Sequence, residues 1–491
     1  MERIKNLSIE KKLFYSFLLI HLVVWTVIGM IRTVLPTDSL EGIYWGSFAD
    51  LGTNKHPPLA AWITYLAYMP FKSDFCVYLV SQLFIVTGFI YIYKLAKYFL
   101  DEHKSMLSVI ILEGCWCYSY ITGYYGFNPD VILLLMLPMI VYHFYNCVHF
   151  ERKTDWLLLG LIVGIAFLNK YQTGLIIAAM AIWALIFKRE IFKNIYFYIA
   201  IAIAFVIFLP HLLWLVHYDF FPFLYFGSEL SANQWYQHIL APLNFFIMQM
   251  VAISGSLILY ALLLRKTKTP IKIDKSHDAK DTWFILLIAF VPLVIHLIMG
   301  LLEGGTMRPR WGYEFWFMTG IVLFYFLPCK IEEKEFKFVV KGAYVLMLIV
   351  FLSLGTLLTV EKNYRSRYPV ATIYNDMNKF WNEKYNTPMK YIGGYIEWTL
   401  PLTIYAESHP KCILDTFGYK DPWIDEDDKI KSGVMIIDRH PWDVERQTRK
   451  ACPYLPNDYV IEPIEYKFFV HNALGMPREY TIHYFIVPPQ K

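Results

Sequence analysis

The sequence predicts a polytopic α-helical membrane protein with about eleven transmembrane helices and a small soluble α/β domain at its C-terminal end. Three observations lead there. Residues of the set AVILMFWYC make up 57% of the 491 residues and only 18% are charged, against roughly 25% in a soluble globular chain. So little polar side chain cannot cover a water-soluble body of this size. The apolar residues also gather into runs long enough to cross a bilayer, and beyond about residue 360 those runs stop. Disorder, collagen-like repeats and a small disulfide scaffold are excluded by the same composition. With 45 basic and 41 acidic residues the charge is near balance, which makes no case for a nucleic-acid partner.

Taken in order, the predicted spans lie near 13–34, 76–96, 105–122, 130–149, 155–169, 173–187, 195–216, 238–264, 282–302, 312–329 and 338–360. The runs 155–169 and 173–187 are short and joined by NKYQTG, so a single helical hairpin is an alternative there. The first run lacks a small-residue cleavage site, and a retained span is expected. Short-loop Lys and Arg set the orientation. MERIKNLSIEKK, YKLAKYFLDEHK, ERK, KREIFK, RKTKTPIKIDKSHDAK and KIEEKEFK hold about twenty-one basic residues on one side, against about six on the other. The N-terminus is therefore expected in the cytoplasm and the C-terminal domain in the periplasm or an equivalent outer compartment, with a bacterial inner membrane as the expected location. Residues 1–360 form the expected membrane module, with a first outward loop at 35–75.

Residues 361–491 change character, with charged stretches such as DEDDKIKSG and strand-like runs KYIGGYI, GVMIID and TIHYFIVPP. Cys412 and Cys452 fall here, and in an oxidising compartment a disulfide and two thiols are both open. The other five cysteines lie in or beside apolar spans, as packing residues do.

Charges beside spans carry the information about chemistry, because they are expensive to place. Four outward clusters stand out. The first loop has Asp38 and Glu41 three residues apart, on one face if the stretch is helical, followed by Lys55 and His56 ahead of Pro57-Pro58. Carboxylates with a Lys-His couple can deprotonate a hydroxyl and neutralise a phosphate; helix capping by Asp38 and headgroup anchoring by Lys55 and Trp45 is the plainer alternative. In GFNPDVILLL, Asp130 opens a span, where capping competes with a seat for a divalent cation, Mg²⁺ or Mn²⁺. Lys170, in NKYQTG, either snorkels to the surface or meets a phosphate. EGGTMRPRWGYEFWF brings Arg308, Arg310, Trp311 and Glu314, an anion-binding group or an interfacial belt. Glu113 and His211 lie inside spans with no role assigned.

DSLEGIYWG followed by KHPPLAAW resembles the first outward loop of the polytopic C-type glycosyltransferases of glycosyltransferase family 39, the protein O-mannosyltransferase and aminoarabinose transferase kind. GFNPDVILLL, NKYQTG and RPRWGYEFW look like later signatures, so the resemblance covers roughly residues 10–330. It implies a membrane enzyme that transfers a sugar from a polyprenyl-phosphate carrier to a lipid, glycan or protein acceptor, with inversion at the anomeric carbon. Carried over by position, Asp38 or Glu41 is the base, Lys55 contacts the carrier phosphate with His56 beside it, and Asp130 serves a metal or the acceptor. Many members have an adjacent Asp-Glu pair; here the acids are split as D-S-L-E, with Asp38 preferred and Glu41 supporting. Lys170, Arg308 and Arg310 are the further expected phosphate contacts. A transporter or flippase of lipid-linked sugars is the competing expectation, disfavoured by the lack of an internal repeat and by polar clusters at one face. An inactive scaffold is the third.

Overall fold

A computed structural model describes residues 7–230, 234–305, 307–414 and 421–490. Arg3 and Lys5, two of the basic residues that orient the chain above, lie outside the described residues. The chain opens with α1 (Ile9–Gly29), the short α2 (Thr37–Gly46) and α3 (Leu59–Tyr68), and the long α4 (Asp74–Ala96). Next, α5 (Glu102–Ile110) continues through 3-10 turns at Ile111–Gly114 and Trp116–Tyr118 into α6 (Tyr120–Tyr125). Then come α7 (Pro129–Phe150), α8 (Lys153–Phe167), α9 (Thr173–Phe187), α10 (Ile195–His217) and α11 (Phe221–Leu230). They are followed by α12 (Gln237–Thr267), α13 (Ala279–Glu303), a 3-10 stretch Pro309–Met318, α14 (Thr319–Phe326) and α15 (Glu333–Val360).

Among the described residues seven helices are long and apolar enough to cross a membrane: α1, α4, α7, α10, α12, α13 and α15. An eighth arises if α5 to α6, bent by 83° at Cys115, is one broken span. The expected count of eleven is not reproduced, and the difference has physical causes. At 15 residues each, α8 and α9 reach only about 22 Å, short of a hydrocarbon core of about 30 Å. The run 312–329 begins as a 3-10 helix and leaves an eight-residue α-helix, α14. Apolar composition alone shows neither a break nor a tighter helix.

Contacts divide the chain into two compact units. The first comprises Met1–Gly29, Leu51–Ala60 and Phe75–Leu354. Its helices meet backbone to backbone through small residues. A Cβ on Gly160 of α8 would come 2.5 Å from the Ala200 carbonyl of α10, and Gly164, one turn on, lies against Ala204. Gly114, at the bend, meets Gly255 of α12, where an added Cβ would stand 2.3 Å from a backbone carbon. Near the same bend Glu113 is buried and bonded to two residues of α1: His21 Nδ1 at 2.6 Å and Trp25 Nε1 at 3.0 Å.

The second unit comprises Met30–Asp50, Ala61–Asp74 and Gly355–Lys491, so most of the first outward loop belongs with the C-terminal residues. After α16 (Tyr364–Arg367) and α17 (Val370–Tyr385) come β1 (Tyr391–Gly394), α18 (Ile396–Tyr405), β2 (Lys411–Ile413), α19 (Glu426–Ser432), β3 (Val434–Asp438), α20 (Pro441–Ala451), β4 (Ile464–His471) and β5 (Pro477–Val487). The five strands form one sheet in the order β2-β1-β3-β5-β4, parallel at β2-β1-β3 and antiparallel at β3-β5-β4. The run VMIID of β3 is buried at every position, as suits a central strand covered on both faces. The expected strand runs KYIGGYI, GVMIID and TIHYFIVPP are thus β1, β3 and β5. Gly394 has φ 120°, and a Cβ there would stand 1.9 Å from the Ile437 carbonyl, so only glycine fits where β1 leaves β3. Cys412 and Cys452 are buried and free, which decides their alternatives for two thiols.

Candidate active site

In the first unit the clusters around Asp130, Lys170 and Arg310 meet. Asn128 caps α7: its Oδ1 accepts from the backbone N–H of Asp130 at 2.9 Å and of Val131 at 3.2 Å, with Pro129 at the first helical position. That leaves the Asp130 carboxylate for other work. The α8–α9 hairpin folds beside this helix start, its Asn169 amide donating to the Pro129 carbonyl at 2.9 Å. Lys170, the next residue, donates its ammonium to Asp130 Oδ1 and, at 3.2 Å, to Glu314 Oε1 in the 3-10 stretch Pro309–Met318. Lys170 is 8% exposed and Glu314 1%, so this is a buried pair of ion contacts.

Arg310 stands on the other side of Asp130, its Nε 4.0 Å from Oδ2, with the guanidinium over the Tyr125 ring at 5.8 Å. Two carboxylates and two cations therefore balance, which is the condition for burying charge without a large penalty. The 3-10 stretch is fastened by its backbone: Gln172 donates to the Trp311 carbonyl and Gln249 to the Pro309 carbonyl, at 2.9 and 2.8 Å. Asp130, Arg310, Tyr313 and Glu314 line a small cavity.

Lys55 and His56 sit, half-buried, in a turn held by Thr53. The Thr53 hydroxyl accepts from both of their backbone N–H groups, at 3.3 and 3.0 Å, and donates to the His56 carbonyl at 3.0 Å. The turn is tied at both ends. Leu59 N–H donates to the Leu168 carbonyl at 2.9 Å, and His211 Nδ1 donates to the Leu51 carbonyl at 2.6 Å. Since Nδ1 must carry the proton, Nε2 of a neutral ring accepts from the Tyr171 hydroxyl at 2.8 Å. His211, without a role in the sequence, thus links the NKYQTG hairpin to the turn before Pro57-Pro58.

In the second unit, the DSLEG stretch is helical, which meets the condition for a shared face, and Asp38 and Glu41 stand one turn apart on α2. Asp38 is half-buried in the first turn and Glu41 is 4% exposed. Trp45 is buried in the protein, which overturns its reading as a headgroup anchor. Gly42 and Gly46, four apart, seat α2 on α3; a Cβ on Gly46 would stand 2.2 Å from the Ala61 carbonyl.

The structure brings together Asp130, Lys170 and Arg310 of the expected residues and adds Glu314, which the sequence placed in the Arg308–Arg310 cluster without a role of its own. The one signal available was a carboxylate inside an apolar run. Arg308 precedes the 3-10 stretch, half-buried. Asp130 does not fit a seat for a divalent cation, since an ammonium holds one oxygen and a guanidinium faces the other, whereas Mg²⁺ needs oxygen ligands. Among the described residues no group of three His, Cys, Asp or Glu side chains is placed to hold a metal.

Three comparisons with known proteins bear on this arrangement. Residues 55–214 match the family described as dolichyl-phosphate-mannose-protein mannosyltransferase. ArnT from Cupriavidus metallidurans, in its apo crystal structure, superposes with a TM-score of 0.59 at 13% identity, covering 98% of this chain and 100% of that one. The chain has a C-type glycosyltransferase fold. In sequence, the lipid A galacturonosyltransferase RgtD of Rhizobium johnstonii is 27% identical over 191 residues. That alignment spans 37% of this chain and 38% of the relative.

Proposed function

We propose that this chain is a membrane glycosyltransferase that moves a sugar from a polyprenyl-phosphate donor to an acceptor hydroxyl or amine, with inversion. The observation that carries this reading is that the segment matched to the mannosyltransferase family contains Lys55, His56, Asp130 and Lys170, two of which enter the buried ion group.

The chemistry sets the division of labour. The acceptor heteroatom forms a bond to the anomeric carbon while the bond from that carbon to the phosphate oxygen breaks. The acceptor proton goes to a carboxylate, Asp38 with Glu41 supporting. The donor is a phosphodiester monoanion, and the released polyprenyl phosphate gains one negative charge. Stabilising that charge as it develops is the work of cations, which we assign to Lys55, Arg308 and Arg310, with His56 beside them. In this reading Lys170 acts through Asp130 and Glu314, holding Arg310 in place.

We place the enzyme in a bacterial inner membrane with its N-terminus cytoplasmic and residues 361–491 periplasmic, on the Lys and Arg asymmetry of the loops. The named relative acts on lipid A, so lipid A is the first acceptor to test, ahead of other glycans and proteins. The test is direct. Purified protein in detergent is mixed with polyprenyl-phosphate sugars and candidate acceptors, and products are read by mass spectrometry. An enzyme transfers sugar there; a flippase, with no second compartment, does nothing, and absence of transfer across the donor and acceptor panel would reject the reading.

A further inference from the structure

The C-terminal sheet ends in β2, an edge strand whose Cys412 turns its backbone N–H and C=O away from β1. An open edge of this kind normally needs a cover. Among the described residues a side chain from α2 provides it at Cys412. The Tyr44 hydroxyl donates to the Cys412 carbonyl at 2.6 Å, accepts from the Cys412 N–H at 2.8 Å and accepts from Trp423 Nε1 at 3.2 Å. One donor and two acceptor sites is all a phenol has, so this hydroxyl is saturated. Burial, with Cys412 and Asp421 nearby, pushes its pKa well above the usual range, which keeps the donated proton in place.

Tyr44 is three residues after Glu41 and six after Asp38, so it sits one and two turns along the helix that carries both acids. The flanks of α2 are held by the same part of the chain. Before it, the Leu35 N–H donates to the Tyr405 hydroxyl at 2.9 Å, and that hydroxyl donates to Asp74 at 3.0 Å. After it, Phe48 stacks on Trp423 with centroids 4.7 Å apart and planes 8° from parallel. All these residues lie in the second unit.

We propose that Tyr44 is a positioning residue for the acids of α2, and that β2 and the Trp423 region are the part of the C-terminal domain that sets their orientation. The proposal rests on the reading of Asp38 and Glu41 as the acids of a glycosyl transfer. A domain on which the family resemblance was silent thereby fixes a carboxylate to the tolerance that in-line attack requires.

Tyr44→Phe tests it, because the ring keeps its contacts with Phe48 and Trp423 while the hydroxyl is lost. Two readouts are taken on the full chain in detergent. Deuterium exchange should rise roughly tenfold at residues 37–46 and 411–413, the scale of a lost buried hydrogen-bond pair, with the spans unchanged. In transfer assays kcat per folded enzyme, with the folded fraction taken from size-exclusion and thermal unfolding, should fall roughly tenfold or more while donor and acceptor KM stay within about twofold; loss of folded protein alone lowers apparent kcat only in proportion to that fraction. Trp423→Phe, which loses the longest of the three bonds and trims the stack on Phe48, should raise exchange and lower kcat in the same direction. Unchanged exchange at α2 overturns the clamp, and altered exchange with unchanged kcat overturns the positioning role. If the wild-type protein transfers no sugar at all, the functional reading fails by itself, and the exchange experiment still decides whether Tyr44 holds α2 to β2.

Discussion

Replacing Lys170 by Met removes the cation between Asp130 and Glu314, and the two carboxylates respond differently. Asp130 keeps Arg310 at 4.0 Å. Glu314 is 1% exposed, loses its contact at 3.2 Å, and has a second oxygen, Oε2, with no hydrogen-bond partner among the described residues. Coulomb attraction at that separation is about 5 kcal/mol at an effective dielectric of about 20, and truncating one member of a buried pair typically costs about 3–5 kcal/mol. Lys170→Met is therefore expected to lower stability by about 3–5 kcal/mol, a fall in thermal midpoint of about 3–5 °C in detergent. Combining it with Glu314→Gln removes the stranded charge and should recover about 2 kcal/mol or more, so that the two changes are far from additive. Thermal unfolding of the wild type, both single variants and the double variant measures this. A Lys170→Met protein as stable as wild type, or a double variant showing the plain sum of the single losses, would refute the argument that Lys170 neutralises Glu314.

Three further expectations follow from the same geometry. Asp38→Asn should reduce kcat roughly 10²- to 10⁴-fold while insertion into the membrane is preserved, with Glu41→Gln less severe; the reverse order would transfer the base to Glu41. Lys55→Ala should raise donor KM about tenfold, as expected for one charge-assisted phosphate contact, and an unchanged donor affinity would remove that contact from the mechanism. Gly114→Ala forces a methyl to within 2.3 Å of the Gly255 backbone and should destabilise by about 2 kcal/mol; wild-type thermal stability would mean that α12 and the bend do not touch.

The apolar runs were legible because each is governed by one local quantity, hydrophobicity over a fixed length. All eleven runs contain helix, yet whether a run is continuous depends on neighbours, as Gly114 against Gly255 illustrates. The three-residue spacing of Asp38 and Glu41 was legible, while the helix that puts them on one face stayed a condition until the structure supplied it. The partners of Lys170 were not: Asp130 is 40 residues away and Glu314 144, and no pattern in one sequence pairs them. Nor did the sequence show that Asn128, two residues ahead of Asp130, takes the capping duty and releases that carboxylate. The boundary at 360 followed the change in composition, whereas the second unit gathers residues 30–50 and 61–74 through contacts such as Tyr44 with Cys412.

The group formed by Glu113, His21 and Trp25 bears on how the chain is made. A segment carrying a central carboxylate, bent by 83° and partly in 3-10 turns, is a poor solitary passenger into lipid, where an acidic residue at the helix centre costs about 2.5–3.5 kcal/mol. Its two hydrogen-bonding partners both sit on α1, which leaves the ribosome before it. The order of synthesis thus delivers the receptor before the residue that needs it, and a chain rearranged to emit 102–125 ahead of α1 would strand Glu113 at the translocon.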